Sequence, residues 1–405
     1  MSGLLRFSIG FYVLATALGL VLRTFFAFPF QGLVIAHALH AHSHTLYFGW
    51  AALGILTLGF DRIGANGRAA KTVLWAIVGL SAATFVSFLE GGYSTPSIVI
   101  SSVSLLLWAV ATAIFWRQAR GKQGIDVAFL RAGMIYLLVA SLGAITRVVL
   151  IVFDAPALHK SLAVFAFLYS FAWFFVFSVI GLLLGRASAL GVRFDERFFR
   201  WQLRLSVPLA WLTFPLGVAG GVTGTLGTSA RIAAVGLLVP TLLGALGFWK
   251  AAGGGAKLEV RPSVREGLRW LALWLALEGI LSALGGLGLA ASAVHSRHLA
   301  VLYLHVLLVG VVSLGLMFAM LARLETWSTS TVRLHCWGLT VMSLGLAAAG
   351  ASALGIHLPA PLVRGGMILA VLGGALIFAA GVCCAFSIYR ASRTSPTFEA
   401  VQEPG

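Results

Sequence analysis

The chain has 405 residues, of which 60% are hydrophobic and only 10% are charged, and its mean hydropathy is +0.99. A soluble globular protein carries about 25% charged residues, so this composition excludes that class and indicates an integral membrane protein in a lipid bilayer. The formal net charge of +16 does not indicate a nucleic-acid partner, because lysine and arginine collect in the cytoplasmic loops of membrane proteins.

Apolar runs bounded by charged residues and by glycine or proline clusters predict an all-α protein of about twelve membrane-spanning helices. The connections between the runs are too short to fold alone, so we expect a single domain over 1–405 with its functional site inside the bundle. The predicted spans are 7–29, 34–60, 71–91, 96–117, 127–152, 160–185, 203–223, 230–250, 267–291, 298–322, 332–355 and 365–389.

The basic residues predict the orientation of these spans. With the N-terminus in the cytoplasm, 22 of the 28 lysines and arginines fall on the cytoplasmic side and 6 on the outer side. This asymmetry follows the positive-inside rule and predicts that both termini are cytoplasmic. Spans 2, 6 and 10 then all begin at the outer side.

Four of the ten histidines, His37, His40, His42 and His44, lie at the outer end of predicted span 2. At about 100° per residue, His37, His40 and His44 share one stripe of the helix, while His42 points to a different side. Three interpretations stay open. His40 and His44 form an i, i+4 metal-binding pair, one or two of the rings bind a haem between helices, or His37 and His40 are wetted at the membrane surface.

Two further histidines, His298 and His305, lie at the outer end of predicted span 10. At a rise of about 1.5 Å per residue, His305 lies about 10 Å below the start of its helix and His44 about 15 Å below its own. Histidines at similar depth on separate helices suit a bis-histidine haem. The alternative for His305 is a single buried imidazole that is hydrogen-bonded to a hydroxyl or carbonyl group.

Three charged residues inside the spans also need a partner. Arg23 and Arg147 lie near the outer ends of spans 1 and 5, where each either neutralises a carboxylate (Glu90, Asp154 or a haem propionate) or extends to the outer surface. Glu278 lies near the middle of span 9, either as a neutral packing group or as part of a proton path.

Two motifs carry a resemblance to a known family. The sequence HSHTLYFG over 42–49 resembles the HxHExxFG stretch of NnrS-type membrane haem proteins, with Thr45 in place of the acidic residue. Leu304 and His305, followed by Gly310, resemble the later LHxxxxG segment of that family, and Arg323 stands near the arginine that closes it. More distantly, the chain resembles subunit I of haem-copper oxidases and nitric oxide reductases, which also has twelve spans.

This resemblance implies a haem-copper-oxidase-like bundle in a bacterial inner membrane. It implies one haem b near the periplasmic side, with His305 as one axial ligand and His42, or else His44, as the other. Arg23 and Arg147 are then candidate partners of the haem propionates. The implied role is electron transfer, or the sensing or relief of nitric oxide stress, with a redox protein or a quinol as partner.

The chain also departs from the oxidases. Tyr303 stands where they have the first histidine of an HxH pair, and span 7 contains no histidine. We therefore expect neither the oxidase copper site nor terminal oxidase activity. Copper bound elsewhere would depend on outer histidine pairs: His37 with His40, or His295 with His298.

Two other functions remain open at this stage. The first is a transporter, for example of a transition metal, with the span 2 histidines at its entrance. Few ionisable residues line a pathway, and the chain lacks obvious halves with matching broken helices, both of which disfavour this hypothesis. The second is a structural or assembly subunit that keeps the fold and has lost the cofactor.

Overall fold

A computed structural model describes residues 2–187, 190–214, 224–253, 260–289, 296–324 and 328–394, and this part of the chain is helical and contains no β-strand. The prediction of an all-α membrane protein is confirmed. The α-helices are α1 (Ser2–Ala27), α2 (Ile35–His44), α3 (Leu53–Arg62), α4 (Arg68–Gly91), α5 (Thr95–Gln118), α6 (Ile125–Val152), α7 (Ala157–Gly185), α8 (Glu196–Thr213), α9 (Gly224–Gly236), α10 (Leu238–Gly253), α11 (Pro262–Leu284), α12 (Arg297–His305), α13 (Leu314–Leu324), α14 (Thr329–Gly350) and α15 (Ala360–Thr394). Three segments are π-helical: π1 (Thr45–Ala52), π2 (Gly285–Leu289) and π3 (Val306–Ser313).

Ten helical stretches of the described chain have the length and apolar composition of a membrane span, against about twelve predicted. The two other predicted spans have identifiable differences. The helix over 35–62 is about 40 Å long, but its four histidines lower its hydropathy. The span predicted over 203–223 corresponds to α8, whose N-terminal half is basic, and then continues into residues outside the described part of the chain.

The first and last helices of the chain lie together. Helix α1 packs against both α15 and π1, while α6 packs along α7 and α14 along α15. The helix that carries the histidine cluster is therefore a direct neighbour of α1, and α1 also contacts α15.

Both histidine-bearing helices change from α-helix to π-helix directly after a histidine. The segment π1 begins after His44, and π3 begins after His305, and the backbone stays helical through both residues. A π turn closes its hydrogen bonds over five residues and shifts the register of the side chains around it. Gly49 in π1 lies against the ring of Phe11 in α1, where an added Cβ would collide with the ring.

A buried hydrogen bond joins the two π segments. The indole Nε1 of Trp50 donates to Oγ of Ser313 at 2.9 Å, and Ser313 donates in turn to the carbonyl of Leu308 at 2.8 Å. Ser8 of α1 donates to the carbonyl of Trp50 at 2.8 Å. Trp50, Ser313 and Ser8 are completely buried. These bonds connect α1 and the two histidine-bearing helices at one level of the bundle.

The position of this bond relates the depths of two histidines. Trp50 lies eight residues after His42, and Ser313 lies eight residues after His305. In the predicted topology both helices run from the outside to the inside. A contact between equivalent positions of two parallel helices places His42 and His305 at the same level, because each histidine lies the same number of residues from the contact.

We predict that the bond from Trp50 to Ser313 stabilises the bundle. Ser313→Ala leaves a buried indole N–H without its acceptor, which should cost about 1–3 kcal/mol of unfolding free energy. In a double-mutant cycle of Ser313→Ala with Trp50→Phe, the coupling energy should be about 1 kcal/mol, measured by unfolding in detergent.

Trp108 provides a matched control for this cycle. It is also completely buried, but its indole N–H has no hydrogen-bond partner in the described chain. Trp108→Phe should therefore add to Ser313→Ala without coupling. Additive effects of Trp50→Phe and Ser313→Ala would contradict the prediction.

Reporter fusions test the predicted topology. Fusions after Arg120, between α5 and α6, and after Arg197, at the start of α8, should report the cytoplasm. Fusions at Ser94 and Pro361 should report the outer side, because the basic residues divide 22 to 6 between the two sides. Inversion of any two of these four sites would show that the predicted span count is wrong.

Candidate functional site

The side chain of His42 is held against α1 by a hydrogen bond to the α1 backbone. The ring atom Nδ1 lies 2.8 Å from the carbonyl oxygen of Ala15. The ring also lies over Gly19, where an added Cβ would be 2.8 Å from the His42 Cε1 atom. The absence of a side chain at Gly19 thus makes room for the imidazole, and the Ala15 carbonyl fixes its orientation.

This hydrogen bond determines which nitrogen of His42 is available. A carbonyl oxygen only accepts, so Nδ1 must donate and carries the proton of the neutral ring. The other nitrogen, Nε2, then presents its lone pair, and it has no hydrogen bond within the described chain. Histidines that bind metals usually show this arrangement, with the second nitrogen bonded to a carbonyl or carboxylate group.

His305 has the same arrangement on α12. Its Nδ1 donates to the carbonyl of Val301, one turn earlier, at 2.7 Å. Arg23 and His42 are close enough to His305 to interact electrostatically with it. The structure therefore brings together three of the sequence-predicted site residues, from α1, α2 and α12.

Arg23 lies beside both of these histidines and has no carboxylate partner in the described chain. It interacts electrostatically with His42 as well as with His305. It also lines a cavity of about 10 Å³ together with His298, which is room for no more than about one water molecule. A largely buried guanidinium group beside two imidazoles favours an anionic group at this position.

His44 lies on the other side of the helix, against α4. Its Nδ1 donates to the carbonyl of His40 at 2.9 Å, and its ring stacks on Phe88 with a centroid distance of 4.0 Å. The His40 ring packs edge-on against Tyr93 at 4.4 Å. The expectation that His42 and His44 face different sides therefore agrees with the structure, and the two rings have separate surroundings.

Arg147 lies on the side of the helix that carries His44. It interacts electrostatically with Tyr93, and its Nη1 is buried without a hydrogen-bond partner in the described chain. Asp154, one of its sequence-proposed partners, pairs instead with Lys160 at 3.0 Å. Arg23 and Arg147 thus lie beside different histidines, and only Arg23 lies beside His305.

The remaining histidines near the start of the two histidine-bearing helices form no metal centre of three or more ligands among the described residues. His37 lies against Gly92 and interacts electrostatically with His40. No three histidine, cysteine, aspartate or glutamate side chains of the described residues converge as a metal site. His295 lies outside the described residues, so its proposed pairing with His298 has no structural description.

His335 is a buried histidine whose position the sequence did not indicate. It is completely buried in α14. Its Nε2 donates to the carbonyl of Val309 at 3.1 Å, and its Nδ1 lies 3.3 Å from the Tyr12 hydroxyl group, which then donates to it. Both nitrogens are engaged, so His335 joins α1, π3 and α14 and offers no free lone pair.

Comparison with known proteins assigns no family, so the arrangement of the site residues is the evidence on function. No family model matches the chain, and no curated protein matches it. Two imidazoles with available Nε2 atoms and one arginine, from helices α1, α2 and α12, form the best-defined constellation of the described chain.

Proposed function

We propose that the chain is a membrane haem b protein in which His42 and His305 are the axial ligands and Arg23 pairs with a haem propionate. One observation carries the proposal. Two imidazoles from separate helices interact electrostatically, and each has Nδ1 bonded to a backbone carbonyl and Nε2 available. The equal spacing of both histidines from the Trp50–Ser313 contact supports it.

The residues present fit the requirements of such a group. Axial ligands need unprotonated imidazole nitrogens, and the Ala15 and Val301 carbonyl groups select the tautomer that provides them. The rings of His42 and His305 are only partly buried in the described chain. The guanidinium group of Arg23 suits a carboxylate. With both axial positions occupied, a bound haem supplies one-electron transfer.

The surroundings of the two candidate ligands on α2 favour His42 over His44. His42 interacts with Arg23, which also interacts with His305. His44 stacks on Phe88 on a different side of the helix. A haem ligated by His44 and His305 would require rotation of a helix that Trp50 holds by a buried hydrogen bond.

The setting of the site follows from the proposed topology of twelve spans with both termini in the cytoplasm. His42 and His305 then lie toward the outer side, which is the periplasm for a bacterial inner membrane. The resemblance to NnrS-type proteins and to oxidase subunit I supports electron transfer or a role connected with nitric oxide, with a redox protein or quinol as partner. Tyr303 and the lack of histidine in span 7 disfavour oxygen reduction at a haem–copper centre.

Single alanine variants test the proposed ligands. His305→Ala should abolish haem retention, since no other histidine of its helix lies at that depth. His42→Ala should weaken retention more than His44→Ala does, because only His42 lies beside Arg23 and His305. Absorbance spectra and pyridine haemochrome content of the purified proteins would measure the loss.

His159→Ala, at the outer end of α7, is a control that should keep the full haem content. Size-exclusion profiles would show that each variant is folded. A His305→Ala protein with full haem and an unchanged low-spin spectrum would contradict the pairing of these two helices.

The two arginines provide a second, matched test. Arg23→Gln should weaken haem retention by about tenfold or more, because a hydrogen bond to a charged group contributes about 1.5–3 kcal/mol. Arg147→Gln should leave retention unchanged, because Arg147 lies beside Tyr93 on the His44 side. Titration of the apoprotein with haemin would give both affinities, and equal losses in the two variants would refute the assignment of Arg23.

A further inference from the structure

A carboxyl group and two hydroxyl groups meet between α11 and α12, within the membrane-spanning part of the bundle. Ser282 Oγ donates to Glu278 Oε1 at 2.8 Å, one turn along the same helix. The Tyr303 hydroxyl of α12 lies 3.4 Å from the same carboxyl oxygen and 3.3 Å from Ser282 Oγ. These two hydroxyl groups are therefore the partners of Glu278, which the sequence did not identify.

The groups around Glu278 in the described chain are neutral. Besides Ser282 and Tyr303, the titratable side chain that interacts with it electrostatically is Tyr169 of α7, and Tyr169 is hydrogen-bonded to Thr213 of α8. None of these groups supplies a positive charge. An ionised carboxylate inside a membrane needs a cation or a metal as partner, whereas a protonated carboxyl group does not.

The hydrogen bonds agree with a protonated carboxyl group. Both hydroxyl groups contact Oε1, which suits the carbonyl oxygen of a carboxylic acid. Oε2 remains to carry the proton. Glu278, Ser282 and Tyr303 are each only partly buried within the protein, so surrounding side chains do not completely enclose a proton held there.

We propose that Glu278, Ser282 and Tyr303 form a proton-binding site inside the membrane, in which Glu278 holds a proton that exchanges with water. Its ligand is the proton itself, and the two hydroxyl groups orient the carboxyl group that binds it. The site is separate from the proposed haem ligands, since neither His42, His305 nor Arg23 forms a hydrogen bond or ion pair with Glu278 in the described chain.

Infrared spectroscopy of the full-length protein in lipid tests the proposal at neutral pH. The wild type should show a carbonyl stretch of a protonated carboxyl group, well separated from the carboxylate bands, and Glu278→Gln should remove it. Transfer to D₂O should shift the band to lower frequency if the proton exchanges. Tyr303→Phe and Ser282→Ala should each shift it to higher frequency, because the carbonyl oxygen loses a donor.

Glu266 is a matched control on the same helix. It forms an ion pair with Arg333 at 2.9 Å near the start of α11, so Glu266→Gln should leave the band intact. A wild-type spectrum without the band, or a band that survives Glu278→Gln, would overturn the proposal. A band that D₂O does not shift would show that the proton on Glu278 does not exchange with water, which would overturn that part of the proposal. If Glu278→Gln does not fold, an unshifted band in both hydroxyl variants would refute the assignment.

Discussion

The hydrogen bond from Trp50 to Ser313 is the contact on which the arrangement of the two histidine-bearing helices depends. It joins two π-helical segments that are 263 residues apart in the sequence. In the membrane interior an unpaired indole N–H or hydroxyl group is costly, so this pair fixes both the depth and the rotation of the two helices. His42 and His305 each lie eight residues before the residue of their helix that forms this bond, so the bond also aligns the two histidines with each other.

The helix that carries His42 and His44 separates two environments. His42 faces α1 and interacts electrostatically with Arg23, while His44 faces Phe88. Two residues in an α-helix differ by about 200°, so neighbouring histidines of an HxH pattern cannot share one flat ligand. The same separation explains why Arg23 and Arg147, which looked equivalent in the sequence, lie beside different histidines.

The helices and the faces of the histidines could be predicted from the sequence, whereas the contacts between helices could not. Apolar runs determine helix bounds locally, and the period of the helix separates His42 from His44. Neither pattern encodes which distant residues meet. The bond from Trp50 to Ser313 and the hydroxyl partners of Glu278 depend on packing between helices, and the π segments have no signal in residue type. The pairing of span 2 with span 10 came from the similar depth of their histidines in the predicted topology and from the resemblance.

The buried histidines show how hydrogen bonding separates structural from ligand-binding imidazoles. An imidazole ring has two nitrogens, and burial requires a partner for each of them. His335 satisfies both through Tyr12 and Val309, so its role is complete within the protein. His42 and His305 are only partly buried, and each satisfies Nδ1 through a backbone carbonyl group while Nε2 has no hydrogen-bond partner in the described chain. Two open nitrogens and an arginine without a carboxylate partner in the described chain are the features that the proposed haem, with its anionic propionates, would match.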